Sequence, residues 1–158
     1  MTQFAIASIS DIELDFIYDS VARERAAIED EMMLRERMGL RVEGDPSSHP
    51  VWRSPEVALT CTKRLVRIAR ETGARVHILH ISTGEEMVFL KDHKDVATVE
   101  VLPNHLTLVA PDCYERLGTY AQMNPPVRDR SHWEAIWAGV REGVNRRPVQ
   151  GRRAHAQH

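Results

Sequence analysis

The sequence has few of the features that mark membrane, secreted or nucleic-acid-binding proteins. Its two cysteines, Cys61 and Cys113, lack the spacing of a metal or redox motif, and we interpret both as reduced packing residues. No apolar run approaches the roughly 20 residues that cross a bilayer, and the first ten residues have no basic segment, which argues against a signal peptide. The formal net charge of -2 gives no sign of a surface for nucleic acid or membranes. We therefore expect a cytoplasmic chain.

Several catalytic motifs are also absent. The sequence contains no glycine-rich phosphate loop, no serine nucleophile elbow and no paired CxxC motif. What remains is an ordinary soluble composition, with 42% apolar and 28% charged residues. The length of 158 residues suits one domain or a piece of a larger one.

Strand-like and helix-like segments alternate along the chain. One helix is clearly delimited, because Ser54 and Pro55 are typical of a helix start and Gly73 of a helix end. The patterns predict helices over 12–40, 55–72, 85–94 and 130–142, and strands within 1–9 and over 75–81, 97–102 and 119–123. This alternation predicts parallel βαβ units and an α/β fold. Closed barrels and open doubly wound sheets both place functional residues after strand ends, so the pattern alone fits either architecture.

His80 is the first candidate functional residue. In the predicted strand it shares one face with Val76 and Ile78, whereas His77 projects to the opposite face. A neutral imidazole at a strand end is a common metal ligand. From spacing alone, a histidine that packs at the rim of the core without a metal is the more frequent arrangement.

Asn124 is the second candidate, because Pro125 and Pro126 follow it. Prolines restrict the backbone and hold the preceding residue extended, which would present an amide that can both donate and accept. A rigid turn without a ligand is the alternative. Arg128 could bind an anion at the mouth of the site or could be an exposed loop residue. The other histidines considered are interpreted as surface residues: His49, His93, His105 and His132.

Taken in order, these segments resemble dihydroorotase, a family of cyclic amidohydrolases. The likeness is nearly continuous from about Glu29 to Glu142. The residues that carry it are Gly39–Pro46, His49-Pro50 with Arg53 and Glu56, Val76–Thr83, Glu100–Pro103 with His105-Leu106, Gly118-Thr119, and Met123–Arg128. An asparagine before the double proline is similar to dihydroorotase rather than to hydantoinases or allantoinases.

The resemblance implies a (β/α) barrel with zinc at the carboxyl ends of its strands. It also implies hydrolysis of a cyclic amide, the interconversion of dihydroorotate and carbamoyl aspartate in pyrimidine synthesis, by a metal-bound hydroxide. His80 matches a family zinc ligand, and Asn124 matches a residue that contacts the small-molecule substrate.

The sequence departs from the family at the other zinc ligands. The family's His-x-His pair has no counterpart, Ala27 or Ile28 stands where a ligand histidine should precede the acidic run, and Ala154 stands where a ligand and catalytic base should be aspartate. A catalytic zinc needs about three protein ligands. We therefore expect doubtful zinc binding, and we assign no catalytic residue.

The predicted organisation is an N-terminal segment with a charged helix over 1–41, a partial amidohydrolase-type barrel over 42–143, and a basic, disordered tail over 144–158. A complete barrel takes about 250 residues, so we expect a partial barrel or one completed by another chain. The first hypothesis is a truncated dihydroorotase that is inactive alone. The alternative is a non-catalytic, dihydroorotase-like partner of aspartate transcarbamoylase. Self-association is also open; nucleic acid and membranes are not expected partners.

Overall fold

The computed structural model describes residues 4–6 and 31–145. Its strands and helices are β1 (Phe4–Ile6), α1 (Glu31–Arg37), α2 (His49–Trp52), α3 (Pro55–Thr72), β2 (Arg75–Ile78), α4 (Gly84–Lys91), β3 (Ala97–Val99), α5 (Pro103–Thr107), α6 (Asp112–Leu117) and α7 (Arg130–Arg141). Short 3-10 turns cover Met38–Leu40, Pro46–Ser48 and Gly118–Ala121. Most of the predicted 12–40 helix, the 1–41 segment, Ala27, Ile28 and nearly all of the 144–158 tail with Ala154 lie outside the described residues.

The three strands form a parallel sheet in the order β1-β2-β3. Val76 of the central strand pairs with Ala5 on one side and Ala97 on the other. This arrangement confirms the predicted α/β class with parallel strands. Within the described ranges, no helix is both long and apolar enough to span a bilayer.

One hydrophobic core joins the sheet to helices α3, α4 and α7. The helix α3 buries a continuous apolar stripe, because its apolar residues recur every three or four positions. The core comprises Val66, Ala69, Val76, Ile78, Ile81, Met87, Leu90, Ala97, Val99, Ile136 and Val144. Burial of this apolar surface holds the carboxyl ends of β2 and β3, and the loops that follow them, in place.

The strand predicted over 119–123 is wrong. Its first part is the 3-10 turn Gly118–Ala121, in which Tyr120 is 94% exposed and Ala121 is buried. Ala121 packs in a second, smaller apolar cluster with Cys113, Tyr114 and Val127. The short apolar run therefore serves local packing, and sequence periodicity cannot distinguish such a run from a strand. A single parallel bridge, Ala110 to Asp129, lies nearby.

The strand predicted within 1–9 is present as β1, and the strands predicted over 75–81 and 97–102 are real but shorter. β2 ends at Ile78 rather than residue 81, and β3 ends at Val99 rather than residue 102. Backbone bonds continue the ladder beyond both ends, from Glu100 N to Ile78 O and from Ile81 N to Glu100 O, each 2.9 Å long. The residues after the two strands are thereby brought side by side.

Candidate functional site

His80 lies in the turn after β2, next to a carboxylate that follows β3. Its Nδ1 is 2.8 Å from Oε1 of Glu100. The backbone at His80 is left-handed, with φ of 59°, which is uncommon for a residue other than glycine. Because β2 stops at Ile78, strand alternation does not set the direction of the imidazole, contrary to the sequence argument. The turn and the adjacent ladder set it instead.

The turn after His80 is held by the buried carboxyl group of Glu86. This side chain accepts hydrogen bonds from Thr62 Oγ1 at 2.7 Å, Ser82 N at 3.3 Å and Thr83 N at 3.2 Å. Thr83 Oγ1 in turn accepts from Glu86 N at 3.1 Å, completing a capping box at the start of α4. Burial raises the pKa of Glu86. Four polar contacts thus fix the segment that presents His80.

His105 is buried, so its interpretation as a surface residue is wrong. It is 2% exposed, and its Nε2 lies 3.1 Å from Pro125 O. Burial lowers the pKa of His105 to about 4, and the Arg128 guanidinium adds to this effect. The ring is therefore neutral at pH 7, with Nε2 donating its proton to the carbonyl. Through this hydrogen bond to Pro125, His105 contacts the turn that carries Asn124.

The side chains around His80, which include Glu100 and His105, do not fit a zinc site. Over residues 4–6 and 31–145, no group of three or more His, Cys, Asp or Glu side chains is placed to hold one metal ion. The carboxylate 2.8 Å from His80 Nδ1, that of Glu100, suits orientation of an imidazole rather than a set of three ligands.

Asn124 immediately precedes Pro125, whose carbonyl oxygen contacts His105, and it lies at the edge of a cavity. Its side chain is hydrogen-bonded to His49. Pro125 and Pro126 are fully buried, which anchors the turn while Asn124 itself stays exposed. The cavity measures about 460 Å³, and its lining residues are Arg41, Val42, Gly44, Asp45, Pro46, Ser48, His49, Trp52, Arg53, Thr119, Gln122, Met123 and Asn124.

Arg128 joins the two walls of this cavity. It is 4% exposed, so the exposed-loop alternative is wrong for this residue. Its Nη1 donates to the carbonyl oxygen of Arg53 and to that of Pro50, the latter at 3.4 Å. The segment 41–53 is thereby tied to the segment 119–128, and the cavity is a built feature of the fold.

His49 is also buried, contrary to the surface interpretation. Burial, followed by the Arg53 guanidinium, lowers the pKa of His49 to about 4, although the hydrogen bond to Asn124 opposes that shift. A neutral His49 orients the Asn124 amide. The sequence signal for His49, Arg53, Glu100 and His105 was their presence in the series that resembles dihydroorotase; their residue types alone did not reveal it.

Several proteins with sequences similar to this chain are dihydroorotases. The chain is 31% identical over 147 residues to the dihydroorotase of Halobacterium salinarum, which covers 89% of this chain and 34% of that protein. It is 37% identical over 84 residues to the dihydroorotase of Brevibacillus brevis, covering 51% and 20%. An allantoinase of Solibacter usitatus is 33% identical over 84 residues, covering 51% and 18%. No family model matches the chain.

Comparison with solved structures gives hydantoinases and dihydropyrimidinases. L-hydantoinase from Arthrobacter aurescens superposes with a TM-score of 0.72 at 19% identity, covering 89% of this chain and 35% of that one. Dihydropyrimidinase from Brevibacillus agri NCHU1002 gives 0.70 at 18% identity, covering 89% and 34%. At such identities the likeness shows the fold alone.

The chain is a partial (β/α) barrel of the amidohydrolase type, as the sequence predicted. Within that superfamily it is a dihydroorotase-like chain, since dihydroorotases recur among its sequence relatives at 31–40% identity. It spans about a third of the length of the Halobacterium salinarum relative. The activity and substrate of the complete relatives are therefore taken up below as proposals.

Proposed function

We propose that the chain is a dihydroorotase-like segment that binds a cyclic amide through Asn124 and does not hydrolyse it alone. The observation that carries this proposal is the placement of Asn124. Its amide is exposed at a cavity of about 460 Å³ and hydrogen-bonded to His49. The ligand proposed is dihydroorotate, and the pathway is pyrimidine synthesis.

An amide is well suited to recognise a cyclic amide. The Asn124 side chain can donate to a ring carbonyl and accept from a ring N–H, which matches the alternating groups of the ligand. His49 holds this side chain, and the buried prolines behind it limit its backbone movement. The polar group is thus oriented before the ligand arrives, which lowers the entropy lost on binding.

We propose that the chain alone does not turn over substrate, because the surroundings of His80 lack further metal ligands among the described residues. The described residues supply no group of ligands for a metal, and the family reaction depends on a metal-bound hydroxide. Zinc binding by the isolated chain is therefore proposed to be weak. We also propose that the chain is located in the cytoplasm.

The sheet supports a second proposal, that another polypeptide pairs with the chain. Among the described strands, β1 and β3 each have one strand neighbour in the sheet, and edge strands offer backbone groups for pairing. The candidates are a second copy of the chain and aspartate transcarbamoylase. Native mass spectrometry of the chain alone and with transcarbamoylase separates these, and monomers in both samples would contradict pairing.

The test combines binding with turnover on the purified 158-residue chain. Calorimetric titration with dihydroorotate should show binding that Asn124→Ala abolishes and that Asn104→Ala, on the exposed side of α5, leaves intact. Incubation with dihydroorotate or carbamoyl aspartate and added zinc should give no conversion above buffer. Conversion above background, or binding unchanged in Asn124→Ala, would overturn the proposal.

A further inference from the structure

We infer that an exposed stripe of helix α7 is a contact surface for a second copy of this chain, which pairs with it as a two-fold symmetric dimer. The stripe consists of Arg130, Glu134, Ala138 and Arg141. The inference does not depend on cyclic-amide binding. It also goes beyond the proposed strand pairing, because the stripe is a helix face and not an edge of the sheet.

The inner side of α7 packs against α4, which determines the residues that remain outside. Ile136 and Gly139 are the buried residues of α7, and a Cβ added at Gly139 would lie 2.5 Å from Cε of Met87 in α4. This close approach fixes the rotation of α7 about its axis. The four stripe residues recur every three or four positions on the side away from the core. All four are exposed, so none of the described elements covers them.

Trp137 borders the stripe and supplies apolar surface to it. Its Nε1 donates to Leu106 O of α5 at 3.0 Å, and Nε1 of Trp133 donates to the same oxygen at 2.8 Å. The guanidinium carbon of Arg141 lies 6.0 Å from the ring centroid of Trp137, which is half-buried. The indole is thereby oriented before a partner arrives, which lowers the entropy lost on association. Tryptophan and arginine are enriched among the residues that contribute most to protein interfaces.

The order of side chains on this face is complementary to its own reverse. Glu134, Trp137, Ala138 and Arg141 follow the i, i+3, i+4, i+7 spacing of a helix that packs against another. Glu134 and Arg141 are roughly 10 Å apart along the axis, so they do not pair within one helix. In an antiparallel dimer, Glu134 of each copy lies opposite Arg141 of the other. Trp137 of each copy then packs against Ala138 of the other, whose small side chain leaves room for the ring.

Charge favours this arrangement over the alternatives. In a parallel pair with the same contact residues, Glu134 would oppose Glu134 and Arg141 would oppose Arg141, and like charges at such positions are unfavourable. A partner that carries charge of one sign would leave either Glu134 or the arginines opposite a like charge. The copy of the chain itself, in the antiparallel orientation, satisfies both signs.

The size of the contact indicates a weak, reversible dimer. One helix packed on its copy falls in the class of interfaces that bury less than about 1,200 Å² in total, which is typical of transient association. Affinity in the micromolar range or weaker is expected for such an area. Dimerisation should therefore depend on protein concentration.

Sedimentation velocity of the purified 158-residue chain, from about 1 μM to about 1 mM, is the test. The wild type should change from monomer to dimer over this range. Glu134→Arg and Arg141→Glu each oppose like charges at both pairs and should each weaken dimerisation at least about ten-fold. Glu115→Arg and Arg116→Glu, which make the same changes on the exposed part of α6, are the matched controls and should dimerise as the wild type does.

An equimolar mixture of Glu134→Arg and Arg141→Glu examines the pairing itself. In a mixed dimer the two introduced side chains have opposite signs and meet each other, as do the two native ones. The mixture and the double variant Glu134→Arg/Arg141→Glu should therefore both dimerise with about the wild-type affinity. In a parallel pair, by contrast, like charges meet in every sample except the mixture, so the double variant would not exceed either single variant.

The other outcomes overturn the inference. A wild type that stays monomeric up to about 1 mM would do so, as would a mixture no more associated than its components. Dimers that persist in both single variants would place self-association elsewhere, for example at the sheet edges. None of these results bears on cyclic-amide binding, which is measured separately. Circular dichroism establishes that each variant is folded; if Arg141→Glu is not, Glu134→Arg and Ala138→Arg, which adds a long cation at the centre of the contact, decide, and both must be monomeric.

Discussion

His80 Nδ1 and Glu100 Oε1 lie 2.8 Å apart at the ends of two adjacent parallel strands. The register of β2 and β3 places the residues after both strands next to each other. His80 is nevertheless in the left-handed region, with φ of 59°, where a side chain is strained. Strain of this kind is often found at functional positions, which is consistent with His80 as a candidate functional residue.

The left-handed backbone at His80 predicts a difference between two substitutions. Both His80→Gly and His80→Ala remove the contact with Glu100, but only glycine adopts positive φ without cost. His80→Gly should therefore be more stable than His80→Ala by about 1 kcal/mol. Urea unfolding of the two variants measures this difference. Equal midpoints and slopes would show that the backbone at this position is not left-handed in solution.

Close packing between α4 and α7 predicts that a methyl group at Gly84 is destabilising. A Cβ added at Gly84 would lie 2.6 Å from Cβ of Ala135, and a Cβ has no other rotamer to adopt. Gly84→Ala should lower the free energy of unfolding by about 1–3 kcal/mol. Gly39→Ala, where no atom lies within 4 Å, is the control and should not destabilise the protein. Thermal unfolding with a neutral result at Gly84 would contradict the helix packing.

Buried neutral histidines predict loss of stability in acid. The folded-state pKa of His105 is about 4 against 6.5 for an ordinary histidine. Between these values the unfolded chain binds a proton that the folded protein does not, so stability falls as pH decreases from 6.5 toward 4, by about 1.4 kcal/mol per pH unit for each such group.

The variant His105→Gln isolates this effect, because glutamine can still donate to Pro125 O. Urea unfolding at pH 7 and at pH 5 should show a smaller acid-induced loss in His105→Gln than in the wild type. Identical losses would mean that His105 is not buried in its neutral form.

Glu86 predicts a pH dependence of the opposite sign. Its pKa is raised from 4.5 by burial, so the folded protein holds this proton more tightly than the unfolded chain. The stability that it contributes is present below pH 4.5 and is lost as pH rises through the folded-state value. The free energy of unfolding of the wild type, measured relative to that of Glu86→Gln, should therefore be lower at pH 8 than at pH 5. Glu115→Gln, on the exposed part of α6, should show no such change relative to the wild type.

Local signals in the sequence predicted much of the fold. Ser54-Pro55 and Gly73 delimit α3, and Gly73 does adopt the left-handed conformation expected of a helix end. The cores of β2 and β3 were also predicted, because continuous apolar runs suit strands buried in a parallel sheet.

Long-range contacts could not be predicted in the same way. His49 and His105 were interpreted as surface residues, yet both are buried, and their hydrogen-bond partners Asn124 and Pro125 are distant in sequence. The segment 119–123 failed as a strand because its apolar residue packs locally against Tyr114. Placement of the cavity likewise depends on the contact of Arg128 with Arg53, which no local pattern signals.

Zinc content of the purified chain tests the central claim most directly. The protein is dialysed against equimolar zinc and then analysed by native mass spectrometry, beside the His80→Ala variant. Both samples should hold substoichiometric zinc in equal amounts, because the described residues hold no cluster of metal ligands. One zinc ion per wild-type chain that is lost in His80→Ala would contradict it.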